Sequence, residues 1–149
     1  MTATKKATLV TCPHCGRRNR VPVAASGTPR CGNCHQRLPW VVDASDDDFA
    51  EVAEKADVPV VVDLWAPWCA PCRRVSPALE KVATELAGQV KLVKVDVDAS
   101  PGLSQRFEAQ AIPTLLVLRD GTVASRRVGA LPERALRDWV RQVIGDGSS

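Results

Sequence analysis

The stretch VPVVVDLWAPWCAPC, residues 58–72, decides the fold of this chain. Residues 58–64 are almost entirely apolar, which is typical of a strand that is buried on both faces of a sheet. Apolar residues then recur at helical spacing, which predicts a helix over residues 73–86. Cys69 and Cys72 therefore lie at a strand-to-helix junction, and their spacing favours thiol–disulfide chemistry.

Strand and helix patterns alternate on either side of this stretch. Ser45 followed by three aspartates is typical of a capped helix start, and Pro77 should kink the helix that follows the cysteines. The predicted strands cover residues 40–42, 58–65, 91–97, 112–118 and 122–128, and the predicted helices cover 45–55, 73–86, a short segment from Pro101, and a last segment ending near 145. This order predicts an α/β fold with a mixed sheet and helices on both faces.

Charge divides the 149 residues into two units. Residues 1–40 contain seven lysines or arginines and no acidic residue, whereas residues 41–149 contain 13 basic and 17 acidic residues. We expect a loose tail (residues 1–8), a cysteine-rich module (9–38) and a larger domain (40–145). No apolar run is long enough for a signal peptide or a membrane span, so we expect a cytoplasmic protein with no membrane partner.

The cysteine pair indicates a division of roles. A thiolate at the start of a helix is stabilised by free backbone N–H groups and by the helix dipole, which favours Cys69 as the nucleophile. Cys72, one turn later, should be more buried and should act as the resolving cysteine. The alternatives are half of a zinc site or two inert thiols, but residues 40–145 contain no other cysteine and no histidine.

Asp63 interrupts the apolar strand six residues before Cys69. A lone buried carboxylate is costly unless it is paired or protonated, so its pKa should be raised. Asp63 is therefore a candidate acid–base group for Cys72, with Lys94 of the next strand as its charge partner. The alternative for Asp63 is an aspartate that faces solvent, and Lys94 could equally be a solvent-facing lysine.

Four further cysteines precede residue 40 in the pattern C-x2-C-x15-C-x2-C, which is typical of a structural zinc site. The predicted ligands are Cys12, Cys15, Cys31 and Cys34. Gly16 and Gly32 should permit tight turns around them, whereas His14 and His35 should not be ligands. Free thiols, disulfides and a second redox centre are the alternatives. Nucleic acid is not an expected partner, because no aromatic stacking set accompanies the basic residues.

Residues 40–145 resemble the thioredoxin family. The resemblance rests on VDLWAPWCAPC (62–72), on Pro77, on Ile112-Pro113-Thr114, and on Val128-Gly129-Ala130. It implies a thioredoxin fold in which Pro113 is cis and packs beside the disulfide, with the backbone next to it pairing with an extended substrate. It further implies a shallow apolar partner-binding surface, formed by Trp68, Ile112, Gly129 and Ala130.

A cysteine-rich module on such a domain resembles the zinc-containing thioredoxin 2 branch of bacteria. The resemblance implies a monomeric protein-disulfide reductase that binds Zn²⁺ but no organic cofactor. An NADPH-dependent flavin-containing thioredoxin reductase would recharge it. Ala70 stands where thioredoxins usually have glycine, which leaves the reduction potential open. The alternatives are a disulfide oxidase or isomerase, and a zinc-module adaptor with a vestigial redox domain. The zinc module itself could be structural, redox-regulatory or a docking surface.

Overall fold

A computed structural model describes residues 7–24 and 27–146 of the chain. The strands are β1 (Ala7–Thr11), β2 (Arg18–Pro22), β3 (Val41–Asp43), β4 (Val60–Trp65), β5 (Lys91–Asp96), β6 (Thr114–Arg119) and β7 (Thr122–Val128). The helices are α1 (Cys72–Glu85), α2 (Pro101–Arg106) and α3 (Glu133–Asp146), together with one π-helical turn at Ala50–Glu54. No helix in these ranges combines the length and the apolarity that a membrane span requires.

The central sheet has five strands in the order β3-β5-β4-β6-β7. Strands β3, β5 and β4 are parallel, whereas β6 runs antiparallel to both β4 and β7. The mixed sheet with flanking helices that the sequence predicts is therefore confirmed. Strand β4 lies in the middle of the sheet and is covered on both faces, which explains its continuous apolar sequence.

Two apolar clusters lie on opposite faces of the sheet, because successive side chains of a strand point to opposite sides. Val60, Val62 and Leu64 of β4 belong to the cluster that contains Trp40. Val61 belongs to the other cluster, which includes the apolar residues of α1 and α3. Asp63 follows the same alternation and lies on the side covered by α1, which places a carboxylate beneath the helix that carries Cys72.

The cysteine-rich segment, residues 9–38, packs onto the sheet instead of standing apart. Strands β1 and β2 form an antiparallel hairpin, and the buried side chains of Val21, Val23 and Leu38 join the same cluster as Trp40. The Trp40 ring donates its Nε1–H to the carbonyl oxygen of Pro22 at 2.9 Å. The segment and the larger domain therefore share one apolar core.

Lys91 contacts both the cysteine-rich segment and the larger domain where the two pack together. Its side chain is 1% exposed, and its Nζ donates to the backbone carbonyls of Val23 and Val52. Nζ also lies 4.0 Å from the centroid of the Trp40 ring. Burial lowers the pKa of Lys91 to about 8. One buried cation thus connects the cysteine-rich segment, the π-helical turn and β5.

Two expectations for the chain termini are revised. Residues 1–6 of the expected tail lie outside the described residues, but β1 begins at Ala7, so residues 7–8 belong to a strand. At the other end, the last helix, expected to end near residue 145, extends to Asp146, and residues 147–149 lie outside the described residues.

The helix expected over residues 45–55 is replaced by a turn that leads into the short π-helical segment. No side-chain hydrogen bond caps the start of the π-helical segment, and the Ser45 backbone N–H donates to Asp48 Oδ1 at 2.8 Å. Asp46 instead accepts hydrogen bonds from the backbone N–H groups of Gly102 and Leu103, at the start of α2. Its carboxylate thus caps a helix that is distant in sequence.

Candidate active site and metal centre

The Cys69–Cys72 pair lies between β4 and α1. A disulfide joins the two sulfur atoms, and the backbone N–H of Cys72 donates to Cys69 Sγ at 3.2 Å. We expected Cys69 in the first helical turn, but it lies three residues before the first residue of α1. It nevertheless contacts a free N–H group of the helix start, which is the interaction that stabilises a thiolate there.

Burial does not separate the two cysteines, contrary to our expectation. Both Cys69 and Cys72 are 3% exposed, so Cys72 is not the more buried residue. What distinguishes them is the hydrogen bond, because the N–H group of the helix start points at the sulfur of Cys69. The local geometry therefore favours negative charge on Cys69.

Asp63 is fully buried in β4, which contradicts the solvent-facing alternative. Its Oδ2 accepts a hydrogen bond from the Ser76 hydroxyl at 2.5 Å. Its Oδ1 has no hydrogen-bond partner among the residues that the structure describes. Burial raises the pKa of Asp63 to about 6, and the Ser76 hydroxyl and the charge of Lys94 oppose this rise.

Lys94 takes a different partner from the one expected. It lies opposite Asp63 in the register of β4 and β5, but its Nζ forms an ion pair with Glu80 Oε2 at 3.3 Å. Lys94 therefore acts on Asp63 only through its charge, and Glu80 raises the pKa of Asp63. No local pattern in the sequence indicates that a helix residue pairs with this lysine.

A cavity of about 310 Å³ adjoins this cluster. Cys69 and Cys72 line it together with Ser76, Glu80 and Lys94. The disulfide and the groups that set the pKa of Asp63 thus face one space. Asp63 itself does not line this space, and Ser76, Glu80 and Lys94 are the lining residues that act on its carboxylate.

Replacing Asp63 with asparagine is expected to stabilise the folded protein at neutral pH. The pKa of Asp63 is raised from its ordinary 3.8 to about 6, so the folded state binds more protons than the unfolded state between these values. Stability therefore falls as the pH rises through this window, and above it Asp63 costs on the order of 3 kcal/mol. Asparagine avoids this cost and still accepts a hydrogen bond from Ser76.

Denaturant unfolding of the oxidised proteins at pH 4 and pH 8 measures this difference. Asp63→Asn should exceed the wild type in free energy of unfolding at pH 8 by about 3 kcal/mol, and the gap should shrink at pH 4. Asp47→Asn, which changes an exposed aspartate, is the matched control and should change neither value. Equal stability of wild type and Asp63→Asn at pH 8 would contradict the assigned burial cost.

Pro113 lies at the sheet edge from which the cysteine loop emerges. The Ile112–Pro113 peptide bond is cis, and the next residue, Thr114, pairs with Leu64 near the end of β4. Gly129 donates its N–H to the Pro113 carbonyl at 3.0 Å and has φ +104°, a conformation that side chains disfavour. The structure therefore brings Pro113 and Gly129 together beside the end of β4.

The remaining candidate surface residues differ in exposure. Trp68 is 67% exposed, and its Nε1 donates to Asp98 Oδ2 at 3.0 Å. Ile112 is half-buried and packs against the Trp40 cluster, whereas Ala130 is exposed. Asp98 is the residue that sequence reasoning missed here, because nothing in its local pattern linked it to an indole from another segment.

The four N-terminal cysteines converge. Their sulfur atoms all lie within 4.8 Å of one another, with Cys12 and Cys34 3.6 Å apart and Cys15 and Cys31 3.5 Å apart. Tetrahedral thiolates about 2.3 Å from Zn²⁺ are about 3.8 Å from each other, so the cluster is close to that spacing. These four residues are close enough to bind one metal ion.

Two similar turns present these sulfurs. The backbone N–H groups of His14 and Asn33 donate to Cys12 Sγ and Cys31 Sγ, each at 3.4 Å. Each turn closes through a residue with positive φ, as expected for Gly16. In the second turn we expected Gly32 to take this conformation, but the residue with positive φ is His35, at 65°. His35 donates its N–H to the Cys31 carbonyl.

Asn19 and Asn33 complete the surroundings of the cysteine cluster, and sequence reasoning missed both. The Asn19 side chain donates to Cys31 Sγ and accepts the N–H of Gly32. The Asn33 side chain donates to Cys15 Sγ at 3.6 Å. Such donors stabilise thiolates, and N–H groups of Cys34 and Asn33 help to lower the pKa of Cys31 to about 5.

Comparison with known proteins agrees with this geometry. Residues 40–142 match the family model for thioredoxin. The chain is 41% identical to a thioredoxin of Haemophilus influenzae over 104 residues, which cover 70% of this chain and 97% of the relative. It is 45% identical to a thioredoxin of Rhodospirillum rubrum over 100 residues, which cover 67% of this chain and 96% of the relative.

A third relative extends the likeness beyond the family model. Thioredoxin C-3 of Corynebacterium nephridii is 36% identical over 139 residues, which cover 91% of this chain and 95% of the relative. An alignment of that length includes much of the segment before residue 40. From the family match and from these identities, the chain belongs to the thioredoxin family, whose members are thiol–disulfide oxidoreductases.

Proposed function

We propose that this protein is a protein-disulfide reductase that uses Cys69 and Cys72 to transfer two electrons to disulfides of target proteins. The observation that carries the proposal is the Cys69–Cys72 disulfide at the start of α1, with the Cys72 N–H directed at Cys69 Sγ. In the reduced protein the same N–H group is available to stabilise a Cys69 thiolate. Cys69 is therefore the nucleophile.

The reaction has two exchanges. The Cys69 thiolate attacks one sulfur of the target disulfide, forms a mixed disulfide and releases the first target thiolate, which takes up a proton from water. Cys72 then loses its proton and attacks Cys69 Sγ. The bond between Cys69 and the target breaks, the second target thiolate leaves, and the Cys69–Cys72 disulfide closes. The target gains two electrons and the protein loses two.

Asp63 is the acid–base group for Cys72. Its position beneath α1, its raised pKa and its unpartnered Oδ1 support this role. A carboxylate with a pKa of about 6 is mostly ionised at neutral pH, and it is a stronger base than an ordinary aspartate.

Targets bind across the surface formed by Trp68, Ile112, Pro113, Gly129 and Ala130. The exposed Trp68 ring supplies apolar area, and the Pro113 and Gly129 backbones, which are hydrogen-bonded to each other near the end of β4, supply groups for main-chain pairing. An extended segment of the target would pair with that backbone, as in strand addition.

Thioredoxins in general act on disulfide-containing targets and are themselves reduced by thioredoxin reductase. We infer that an NADPH-dependent, flavin-containing reductase recharges this protein and that it works as a monomer in the cytoplasm. A reducing compartment would also keep the four cysteines of the N-terminal module from forming disulfides.

The metal in the N-terminal module is Zn²⁺, held by Cys12, Cys15, Cys31 and Cys34. The donor set supports this identity, because four thiolates with N–H donors around them suit tetrahedral Zn²⁺. When bound by these four cysteines, the ion would supply a structural crosslink between the two cysteine turns, and the exchange at Cys69 uses only thiols of the larger domain. The module thus has the size and composition of a zinc-ribbon-like unit.

Reduction of insulin disulfides by NADPH and a thioredoxin reductase tests the proposal. Turnover should depend on the protein, and the Cys69–Cys72 couple should have a reduction potential of about −270 mV. A potential near −120 mV, with little insulin reduction, would instead assign the protein to the disulfide oxidases. The same measurement on Ala70→Gly determines the effect of Ala70 on the potential.

A further inference from the structure

The two oxygens of the Asp63 carboxylate have different surroundings. Ser76, which lies one helical turn after Cys72 in α1 and is 9% exposed, donates its hydroxyl to Oδ2 at 2.5 Å. Oδ1 is buried and has no hydrogen-bond partner within the described part of the chain. A buried carboxylate oxygen without a donor is costly, which is acceptable where that oxygen must receive a proton.

Among the residues that the structure describes, Ser76 is the one group that hydrogen-bonds to this carboxylate. In the same part of the chain, the charged groups that act on Asp63 are Lys94 on β5 and Glu80 on α1. Cys69, Cys72 and Arg73 are the other titratable groups that line the adjoining cavity. Lys94 forms an ion pair with Glu80. On β6, the residue opposite Asp63 is the apolar Leu115. The Ser76 hydroxyl therefore both orients the carboxylate and stabilises its ionised form.

We propose that Ser76 is a positioning residue for the resolving step: by holding Asp63 Oδ2, it leaves Oδ1 as the atom that accepts the proton of Cys72. This inference rests on the proposed function of Asp63. The cavity lined by Cys72 and Ser76 places both side chains on the same side of α1, four residues apart. No group of the N-terminal module takes part.

The step is balanced in protons and electrons. The Cys72 S–H bond breaks, and its proton moves to Asp63 Oδ1. The resulting thiolate attacks Cys69 Sγ, the sulfur–sulfur bond to the target breaks, and the electron pair of that bond leaves with the target thiolate. Asp63 then returns its proton to that thiolate or to water in the cavity, and Ser76 remains bound to Oδ2 throughout.

Ser76→Ala removes the hydroxyl, and Ser76→Thr retains it. The zinc-loaded, reduced 149-residue chain is mixed with the chromogenic disulfide of thionitrobenzoate, which releases one coloured thiolate on attack by Cys69 and a second on resolution by Cys72. The phase whose rate does not depend on reagent concentration reports resolution. Cys69→Ser gives the background rate at which the four cysteines of the N-terminal module react with the reagent.

The expected signature is a shift in pH dependence. Loss of a hydrogen bond to the charged form should raise the pKa of Asp63 by about one unit. Resolution by Ser76→Ala should then be about fivefold slower at pH 6 and nearly equal to the wild type above pH 8, with Ser76→Thr close to the wild type. A slowdown that is equal at all pH values, or no change at pH 6, would overturn the proposal.

Two further measurements separate this inference from the proposed function. Titration of the Asp63 carboxyl carbon by NMR should show the same shift in Ser76→Ala, even if the wild type fails to reduce insulin. In an Asp63→Asn background, Ser76→Ala should not slow resolution further, because it acts through that carboxylate. An additional slowdown in that background, or an unshifted titration, would assign Ser76 to packing alone.

Discussion

Replacement of Cys69 with serine is expected to abolish disulfide reduction, and insulin should then be reduced no faster than by the added reductant alone. A serine hydroxyl is not ionised at neutral pH, so the N–H group of Cys72 that points at this position has no thiolate to stabilise. Cys72 should not substitute for the missing nucleophile, because no such donor is directed at its sulfur among the described residues.

Cys72→Ser is the matched variant and should fail at a different step. It retains the nucleophile but lacks the resolving thiol, so it should accumulate the mixed disulfide with a target. Intact-protein mass spectrometry after mixing with a disulfide-bonded peptide measures this adduct. The adduct should form with Cys72→Ser and not with Cys69→Ser. If Cys69→Ser forms an adduct through Cys72 at a comparable rate, the two roles are assigned the wrong way round.

The sequence around the cysteine pair predicts the fold well because several local signals agree there. A continuous apolar strand, a helical repeat and a proline-containing motif all indicate one topology, and β4 and α1 differ from the predicted ranges by at most two residues. The sequence of the β1–β2 hairpin lacks several local signals that agree with one another. Its strands are five residues each and half polar, and they pack because the cysteine turns and Trp40 supply partners that are distant in sequence.

Charged and polar residues limit prediction in a different way. Lys91 begins a strand, and nothing in its neighbourhood indicates burial between the carbonyls of Val23 and Val52. Ser76 is an ordinary helix residue in sequence, and its significance comes from the carboxylate of Asp63 in another element. The role of a side chain can be predicted from sequence when the residue is unusual in its own segment, as Asp63 is in an apolar strand. The role of Ser76 cannot, because it depends on a partner that is distant in sequence.

Removal of the metal is expected to unfold the N-terminal module and to destabilise the face of the domain on which it packs. The buried apolar residues of the module belong to the cluster that it shares with the larger domain, and binding of a structural Zn²⁺ to four thiolates contributes on the order of 10 kcal/mol to folding. Loss of β1 and β2 would uncover the Trp40 ring, which is 1% exposed, and would leave the buried Lys91 without the Val23 carbonyl. A buried cation that loses a hydrogen-bond acceptor is strongly unfavourable.

Metal analysis and indole exchange test this coupling together. The protein should contain about one zinc ion per chain. A Cys12→Ser/Cys15→Ser variant should contain none, whereas His14→Ala should retain it, because His14 contributes only its backbone N–H to the cluster.

In the metal-free protein, the Trp40 Nε1–H, which donates to Pro22 in the intact structure, should lose its protection from hydrogen exchange. The Trp139 Nε1–H, which donates to Ser125 on the opposite face of the sheet, should keep its protection and serves as the internal reference. Protection of both indoles after zinc removal would mean that the module folds without its metal. Loss of both would mean that the module supports the entire domain, because the two indoles lie in cores that only the central sheet connects.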